Sequence, residues 1–131
     1  MSAWRLYDYL DRRDINDFEI WSRRLEKPDR ARLSQKLRML ETVGPDLPPQ
    51  LLAGPIKSHA HIYKLRINGR IALRPLLCKG PINMDIEFTL LKGATEVDRE
   101  WNPRNAPDIA EMRRQEVRND PTRRCSHVRV R

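Results

Sequence analysis

Three consecutive β-strands are predicted between residues 62 and 92, and the rest of the chain has to pack on the sheet that they form. Residues 62–67 and 71–77 form the first two runs, and along residues 82–90 apolar and polar residues alternate, which is the period of a strand with one buried face. Asn68 and Gly69 separate the first two runs. Both residue types tolerate the positive φ angles of a tight turn, so the dipeptide indicates a β-hairpin.

The register of this hairpin follows from the alternation. A loop of only Asn68 and Gly69 would mix charged and apolar side chains on both faces. A three-residue loop over residues 68–70 pairs Ile67 with Ile71, and Leu65 with Leu73, so that their side chains share one face. The opposite face then carries Lys64, Arg66, Ala72 and Arg74. The third run presents five alternate apolar residues to the core: Ile82, Met84, Ile86, Phe88 and Leu90.

Helices are predicted on either side of this sheet-forming stretch. A first strand over residues 4–10 precedes a helix over 15–25, for which Asp14 is the expected N-cap. A second helix over 28–43 has leucines at helical spacing and ends at Gly44, and a third spans 106–118. The predicted order is β-α-α-β-β-β-α, an α+β fold with two N-terminal helices on one face of an antiparallel sheet.

The expected core is formed by residues of the second helix and the three strands: Leu33, Leu37, Leu40, Leu65, Leu73, Ile86 and Phe88. Because these helices suffice for one face only, the cationic face is expected to stay open. Residues 1–120 are expected to form one domain, and residues 121–131 a basic tail that is mobile or ordered by a partner.

The net charge of +8 favours a polyanionic partner such as RNA, DNA or a ribosomal surface. Four arginines and no carboxylate lie in the last eleven residues, so half of this charge belongs to the tail. No run of residues is long and apolar enough to span a membrane, and no signal peptide is visible, so a cytoplasmic location is expected. Cys78 and Cys125 form neither a metal-ligand spacing nor a disulfide framework, and neither a metal nor a cofactor is predicted.

The strand motifs resemble a known family. The stretches concerned are residues 52–54, 62–67, 73–74, 88–93 and 103–113. They are similar to the RelE/ParE toxin superfamily of bacterial type II toxin–antitoxin systems, closest to its HigB-like, phage-related branch. The resemblance covers roughly residues 4–118. It implies a ribosome-dependent endoribonuclease that cuts mRNA and is neutralised by a cognate antitoxin, expected to be a helix-turn-helix protein.

The same resemblance implies the catalytic residues. Arg66 and Arg74 match the two strand arginines of the family, and Lys92 matches the polar or basic position that closes the last strand. Lys57 lies where the family often has a cation before the hairpin. The chain departs from the family after Lys92, where Ala94-Thr95-Glu96 replaces a paired-lysine run or an aromatic residue. This departure favours an alternative, a protein of the same fold that binds a protein or nucleic acid without cleaving RNA.

Further RNA-binding candidates follow from side-chain chemistry. His59 and His61 are acid–base candidates by their side-chain chemistry and share one side of an extended segment, although no third metal ligand accompanies them. Lys64 belongs to the cationic face, and Trp101 could stack on a base. For each residue the alternative is a solvated or packing role. A general single-stranded RNA-binding module would need interleaved aromatic residues on the open face, whereas Tyr63 is predicted on the core side.

Overall fold

The structure, a computed structural model, describes residues 3–130 and combines three α-helices with two β-sheets. The helices are α1 (Asp17–Arg24), α2 (Lys27–Val43) and α3 (Ala106–Asn119). The strands are β1 (Arg5–Tyr9), β2 (Leu52–Ala53), β3 (Tyr63–Leu65), β4 (Ala72–Leu73), β5 (Leu76–Lys79), β6 (Glu87–Lys92), β7 (Thr95–Val97), β8 (Glu100–Asn102) and β9 (Arg124–Ser126). The predicted α+β class is therefore confirmed.

The larger sheet has six strands in the order β2-β3-β5-β6-β1-β9. Its pairs are antiparallel except for β1 and β6, which run parallel with Leu6 opposite Phe88. The prediction of a purely antiparallel sheet is therefore wrong at its centre. A parallel pair requires a long crossover connection, which the chain from α1 to β5 provides. A smaller antiparallel sheet, in the order β4-β7-β8, adjoins the hairpin.

Local signals explain where the first two helices begin and end. The Asn16 side chain accepts a hydrogen bond from the Glu19 amide and caps α1. Asp14, the predicted cap, instead lies two residues earlier with a φ angle of 59°. Gly44 ends α2 with a φ angle of 72°, and a Cβ atom at this position would overlap the Trp4 ring. Only glycine satisfies both the backbone angle and the close approach of the indole.

The main core lies between α1, α2 and one face of the larger sheet. Six of the seven predicted core residues are buried in it, including Leu37, Leu65 and Phe88. Ile86 is the exception, because β6 begins only at Glu87. The apolar residues before it, Ile82 and Met84, lie in the preceding loop and are 45% and 52% exposed. Their alternation with polar residues resembles a strand, but they lie outside both sheets.

The hairpin register differs from the prediction by two residues. Ile67 exchanges both backbone hydrogen bonds with Leu73, and the Leu65 amide donates to the Pro75 carbonyl. The connecting loop is therefore longer than the predicted three residues. Since side chains alternate with a period of two, a two-residue shift keeps every side chain on its face. Leu65 and Leu73 consequently still face the core.

The second face of the larger sheet is not open along its whole length. Helix α3 packs against β5 and β6 and covers Leu76, Cys78 and Leu91 with its residues Ala106 and Ala110. The expectation that helices cover only one face is therefore wrong here. Burial raises the pKa of the Cys78 thiol to about 12, so this residue acts as a small buried apolar side chain.

The C-terminal segment is part of the fold. Strand β9 pairs with β1, and the Arg124 guanidinium contacts the buried Glu87 carboxylate. Arg129 donates to both carboxylate oxygens of Glu41 at 2.6 and 2.7 Å, and Val130 is buried. The prediction of a separate mobile tail is therefore wrong as far as Val130; Arg131 lies outside the described residues.

The Asp8 carboxylate connects this segment to the N-terminal half. It is fully buried and accepts a hydrogen bond from Asn16 Nδ2 at 2.8 Å and another from the Val128 amide at 3.0 Å. The ring Nδ1 of His127 lies 2.8 Å from its other oxygen. A buried carboxylate is costly unless it is paired and hydrogen-bonded, and these three groups satisfy it.

Truncation of the core should lower stability strongly. We expect Leu37→Ala and Phe88→Ala each to reduce the free energy of unfolding by about 2–5 kcal/mol, because each removes buried apolar atoms and leaves a cavity. Urea titration followed by circular dichroism measures the loss. Val43→Ala is the control, since Val43 is 42% exposed. A loss no larger than that of the control would contradict the assignment of the core.

Removal of the buried Asp8 carboxylate should lower the free energy of unfolding by a similar amount. Asp8→Ala leaves Asn16, His127 and the Val128 amide without their partner, and we expect a loss of about 3–5 kcal/mol. Asp46→Ala, at an exposed position, should change the free energy of unfolding by no more than about 0.5 kcal/mol. Chemical denaturation of the two variants measures the difference, and equal effects would exclude the stabilising role of Asp8.

Candidate functional site

Strand β3 and the hairpin place several cations on one face of the sheet. Because Ile67 pairs with Leu73 and Lys64 pairs with Leu76, the register sets Arg66 opposite Arg74. Strands β7 and β8 extend this face through the pairing of Ala72 with Glu96 and of Glu96 with Trp101. We name this group the hairpin surface; it comprises Lys64, Arg66, Arg74, Glu96 and Trp101.

Lys64 is half-buried at the centre of the hairpin surface. Its Nζ lies 5.3 Å from the centroid of the Trp101 ring, at cation–π distance. Burial is the largest cause that lowers its pKa, and the charge of Arg66 and, less strongly, that of Arg74 act in the same direction. The Glu96 carboxylate opposes them. A lysine with a lowered pKa gives up its proton more readily than an exposed lysine.

The two arginines of this surface have different environments. Arg74 is only 7% exposed, and its guanidinium donates to Glu96 Oε1 at 3.2 Å, to the Leu73 carbonyl at 2.8 Å and to Asn68 Oδ1 at 3.0 Å. These bonds engage each of the three guanidinium nitrogens and hold Glu96 and the hairpin loop in place. Arg66 is exposed and has no carboxylate partner among residues 3–130. Only Arg66 of the two can therefore present a free guanidinium to an anion.

Glu96 was not foreseen as a site residue from the sequence. Its strand, Thr95–Val97, follows Gly93, and the partner strand contains Trp101. The alternation of Thr95, Glu96 and Val97 was the available signal, but a three-residue run is too short to be distinguished from a loop. The pairing of β4, β7 and β8 brings the Glu96 carboxylate and the Trp101 indole to the face that carries Lys64.

Lys92 is held in a cluster of ion pairs with α1 and α3. Its Nζ contacts Asp17 Oδ2 of α1 at 3.2 Å, and the Arg113 guanidinium of α3 contacts the same oxygen at 3.1 Å. The Lys92 ammonium is therefore paired with α1 and is not free for an anion. Lys92 follows a register irregularity between β5 and β6 and pairs with Leu76, which in turn pairs with Lys64. That Lys92 shares a cleft with the two hairpin arginines stays a prediction.

The pKa of Asp17 is lowered by this arrangement. Burial alone would raise it, but the charges and hydrogen bonds of Lys92 and Arg113 together have the larger effect. The ionised form of Asp17 thus stabilises the folded state at neutral pH. As the folded-state pKa is below that of the unfolded chain, this contribution is lost when the pH falls through the folded-state value.

The remaining predicted residues lie in or near the segment before β3. Lys57 is exposed. His59 bridges Ser58, 2.6 Å from its Nδ1, and Asp108 of α3, 2.7 Å from its Nε2, so it fastens this segment to the helix. His61 is exposed at the rim of a small cavity. Lys57 and His61 thus remain available to a partner, whereas the His59 ring is occupied by Ser58 and Asp108.

Residues 3–130 contain neither a metal-binding cluster nor a membrane-spanning helix. No group of three or more histidine, cysteine, aspartate or glutamate side chains is arranged to hold a metal ion in this part of the chain. Within the same residues, no helix has the length and apolar character needed to cross a bilayer. Comparison with protein-family models, with curated proteins and with solved structures finds no match to this chain.

The structural role of Lys92 can be tested by a double-mutant cycle with Asp17. We expect Lys92→Met and Asp17→Asn to be coupled by about 0.5–1 kcal/mol in the free energy of unfolding, because each removes the same ion pair. Asp17→Asn should also reduce the loss of stability below about pH 4, where ordinary aspartates become protonated. Denaturation at several pH values measures both effects. Coupling no stronger than that between Lys57→Met and Asp17→Asn would contradict the pairing.

Proposed function

We propose that this protein is an RNA endonuclease of the RelE/ParE type, closest to the HigB-like branch, and that it acts as the toxin of a type II toxin–antitoxin pair. The observation that carries the proposal is the environment of Lys64. This lysine lies over the indole of Trp101, and its pKa is lowered by burial and by the charge of Arg66. Ribosome-bound mRNA is the proposed substrate. A cytoplasmic location, and neutralisation by a helix-turn-helix antitoxin, belong to the same proposal.

The proposed reaction uses the 2′-hydroxyl of the substrate as nucleophile. Its oxygen forms a bond to the adjacent phosphorus while the bond from phosphorus to the 5′-oxygen breaks. The products are a 2′,3′-cyclic phosphate and a 5′-hydroxyl. The protein has to hold the atoms in line, stabilise the extra negative charge and move two protons.

Each of these tasks has a candidate on the hairpin surface. The exposed Arg66 guanidinium binds the phosphate oxygens with two parallel hydrogen bonds and stabilises the charge that develops on them. Glu96, oriented by Arg74, accepts the proton of the 2′-hydroxyl, and Lys64 donates a proton to the leaving 5′-oxygen. Trp101 stacks on a neighbouring base. Solvent then returns Lys64 and Glu96 to their starting protonation states.

One observation favours an alternative in which RNA or a protein is bound without cleavage. Arg74 and Lys92, two of the three cations that the family resemblance assigns to catalysis, are held in ion pairs with Glu96 and Asp17. Fewer free cations then remain to stabilise a transition state than the resemblance implies. The alternative retains Arg66 and Trp101 as binding residues and gives Lys64 no role in proton transfer.

Two substitutions separate the proposals. Lys64→Arg keeps the positive charge but removes a group that can release its proton, so RNA binding should persist while the cleavage rate falls by about 10²–10⁴-fold. Arg66→Ala should lower cleavage by about 10²-fold, because it removes a donor to the developing charge. The assay combines growth arrest on expression with cleavage of mRNA in a purified translation system.

The matched control is Arg38→Ala, which removes an exposed arginine from α2. It should arrest growth as the wild type does, and circular dichroism should show all three variants folded. Full cleavage activity in the Lys64→Arg, Arg66→Ala double variant would exclude the catalytic assignment. A wild-type protein that binds RNA but leaves ribosome-bound mRNA intact would establish the alternative.

A further inference from the structure

A small cavity lies beside the start of strand β3. It has a volume of about 60 Å³, which is several times the ~10–15 Å³ that one water molecule needs. The first residue of β3, the last residue of β5 and Arg114 of α3 contribute to its lining. The lining residues are Ala60, His61, Tyr63, Lys79, Met84 and Arg114.

Two permanent cations of this cavity have unused donors. The Lys79 Nζ lies 5.5 Å from the centroid of the Tyr63 ring and has no carboxylate partner among residues 3–130. Arg114 is 9% exposed and gives its Nε and Nη2 to the two oxygens of Glu111, both at 2.8 Å. Its Nη1 makes no hydrogen bond within the described chain. Three ammonium protons and one edge of a guanidinium are therefore free.

The Glu111 carboxylate, which Arg114 contacts, does not cancel the positive charge of the cavity. The hydrogen bond from Arg114 is the main cause that lowers the pKa of Glu111, and the charge of His61 acts in the same direction. Glu111 is therefore ionised and balances Arg114, while Lys79 remains uncompensated. Protonation of His61 would add a second excess charge and a further donor.

We propose that this cavity binds a phosphate group of the RNA strand that crosses the hairpin surface. A phosphate offers several acceptor oxygens in a tetrahedral arrangement, which suits donors that converge from Lys79, Arg114 and His61. The Cα atoms of His61 and Lys64, three residues apart, are at most about 11 Å from each other. One strand can therefore reach both places. The inference rests on the proposed function, since the hairpin surface supplies the neighbouring contact.

Inorganic phosphate is the first probe. In nuclear magnetic resonance titrations at constant ionic strength, we expect saturable shifts of the His61 ring and of the residues around Lys79 in the wild-type protein. The shifts should disappear in Lys79→Gln and persist in Lys27→Gln, which removes an exposed lysine from α2. Absence of these shifts in the wild type, or equal shifts in both variants, would overturn the inference whatever happens with RNA.

A single-stranded RNA oligonucleotide is the second probe. The logarithm of affinity falls linearly with the logarithm of salt concentration, and loss of one phosphate contact should make this negative slope shallower by about 0.7. We expect this change in Lys79→Gln. An unchanged slope in Lys79→Gln together with weaker binding in Arg66→Ala would overturn the inference and leave the proposed function standing. If the wild-type protein does not bind RNA, both this inference and the proposed function are wrong, even if inorganic phosphate binds.

Discussion

The fold depends on the burial of one carboxylate, that of Asp8. A buried carboxylate needs polar partners from the protein, and here they come from two parts of the chain: Asn16 at the start of α1, and the His127 ring with the Val128 amide in the C-terminal segment. Asn16 serves twice, because its oxygen caps α1 while its amide nitrogen binds Asp8. The requirement to satisfy Asp8 therefore fixes the first helix and brings the C-terminal segment onto β1, where β9 completes the sheet.

The docking of the C-terminal segment reduces the number of arginines that are free to bind a polyanion. Arg123, Arg124 and Arg129 lie in the segment that seemed from the sequence to be a free polybasic tail, but each contacts a carboxylate of the folded domain. An arginine in a buried or bidentate ion pair has fewer donors left for a phosphate. The net charge of +8 thus overstates the attraction for a polyanion. What matters is the smaller number of unpaired cations, among which Arg66 and Lys79 lie close to strand β3.

Because side chains alternate along a strand with a period of two, the sequence predicts which face of the sheet each side chain occupies. Leu65 and Leu73 face the core although their register is shifted by two residues, because such a shift conserves the face. For the same reason Lys64 and Arg66 share the other face. The features that were missed are nonlocal: the parallel pairing of β1 with β6, the coverage of the second face by α3, and the ion pair of Lys92 with Asp17. No local pattern encodes which distant element a side chain will meet.

Arg74 shows why residue type alone does not assign a catalytic role. Buried and hydrogen-bonded on three sides, it cannot turn towards a substrate without giving up Glu96 and the hairpin loop. Its place in the proposed reaction is to orient Glu96, whereas the exposed Arg66 contacts the phosphate. Binding of RNA needs only Arg66 and the stacking surface of Trp101. Cleavage additionally needs groups that exchange protons, and on this surface Lys64 and Glu96 are the two that can. In the proposed reaction Lys64 is the proton donor, and its pKa is lowered first by burial and then by the charge of Arg66.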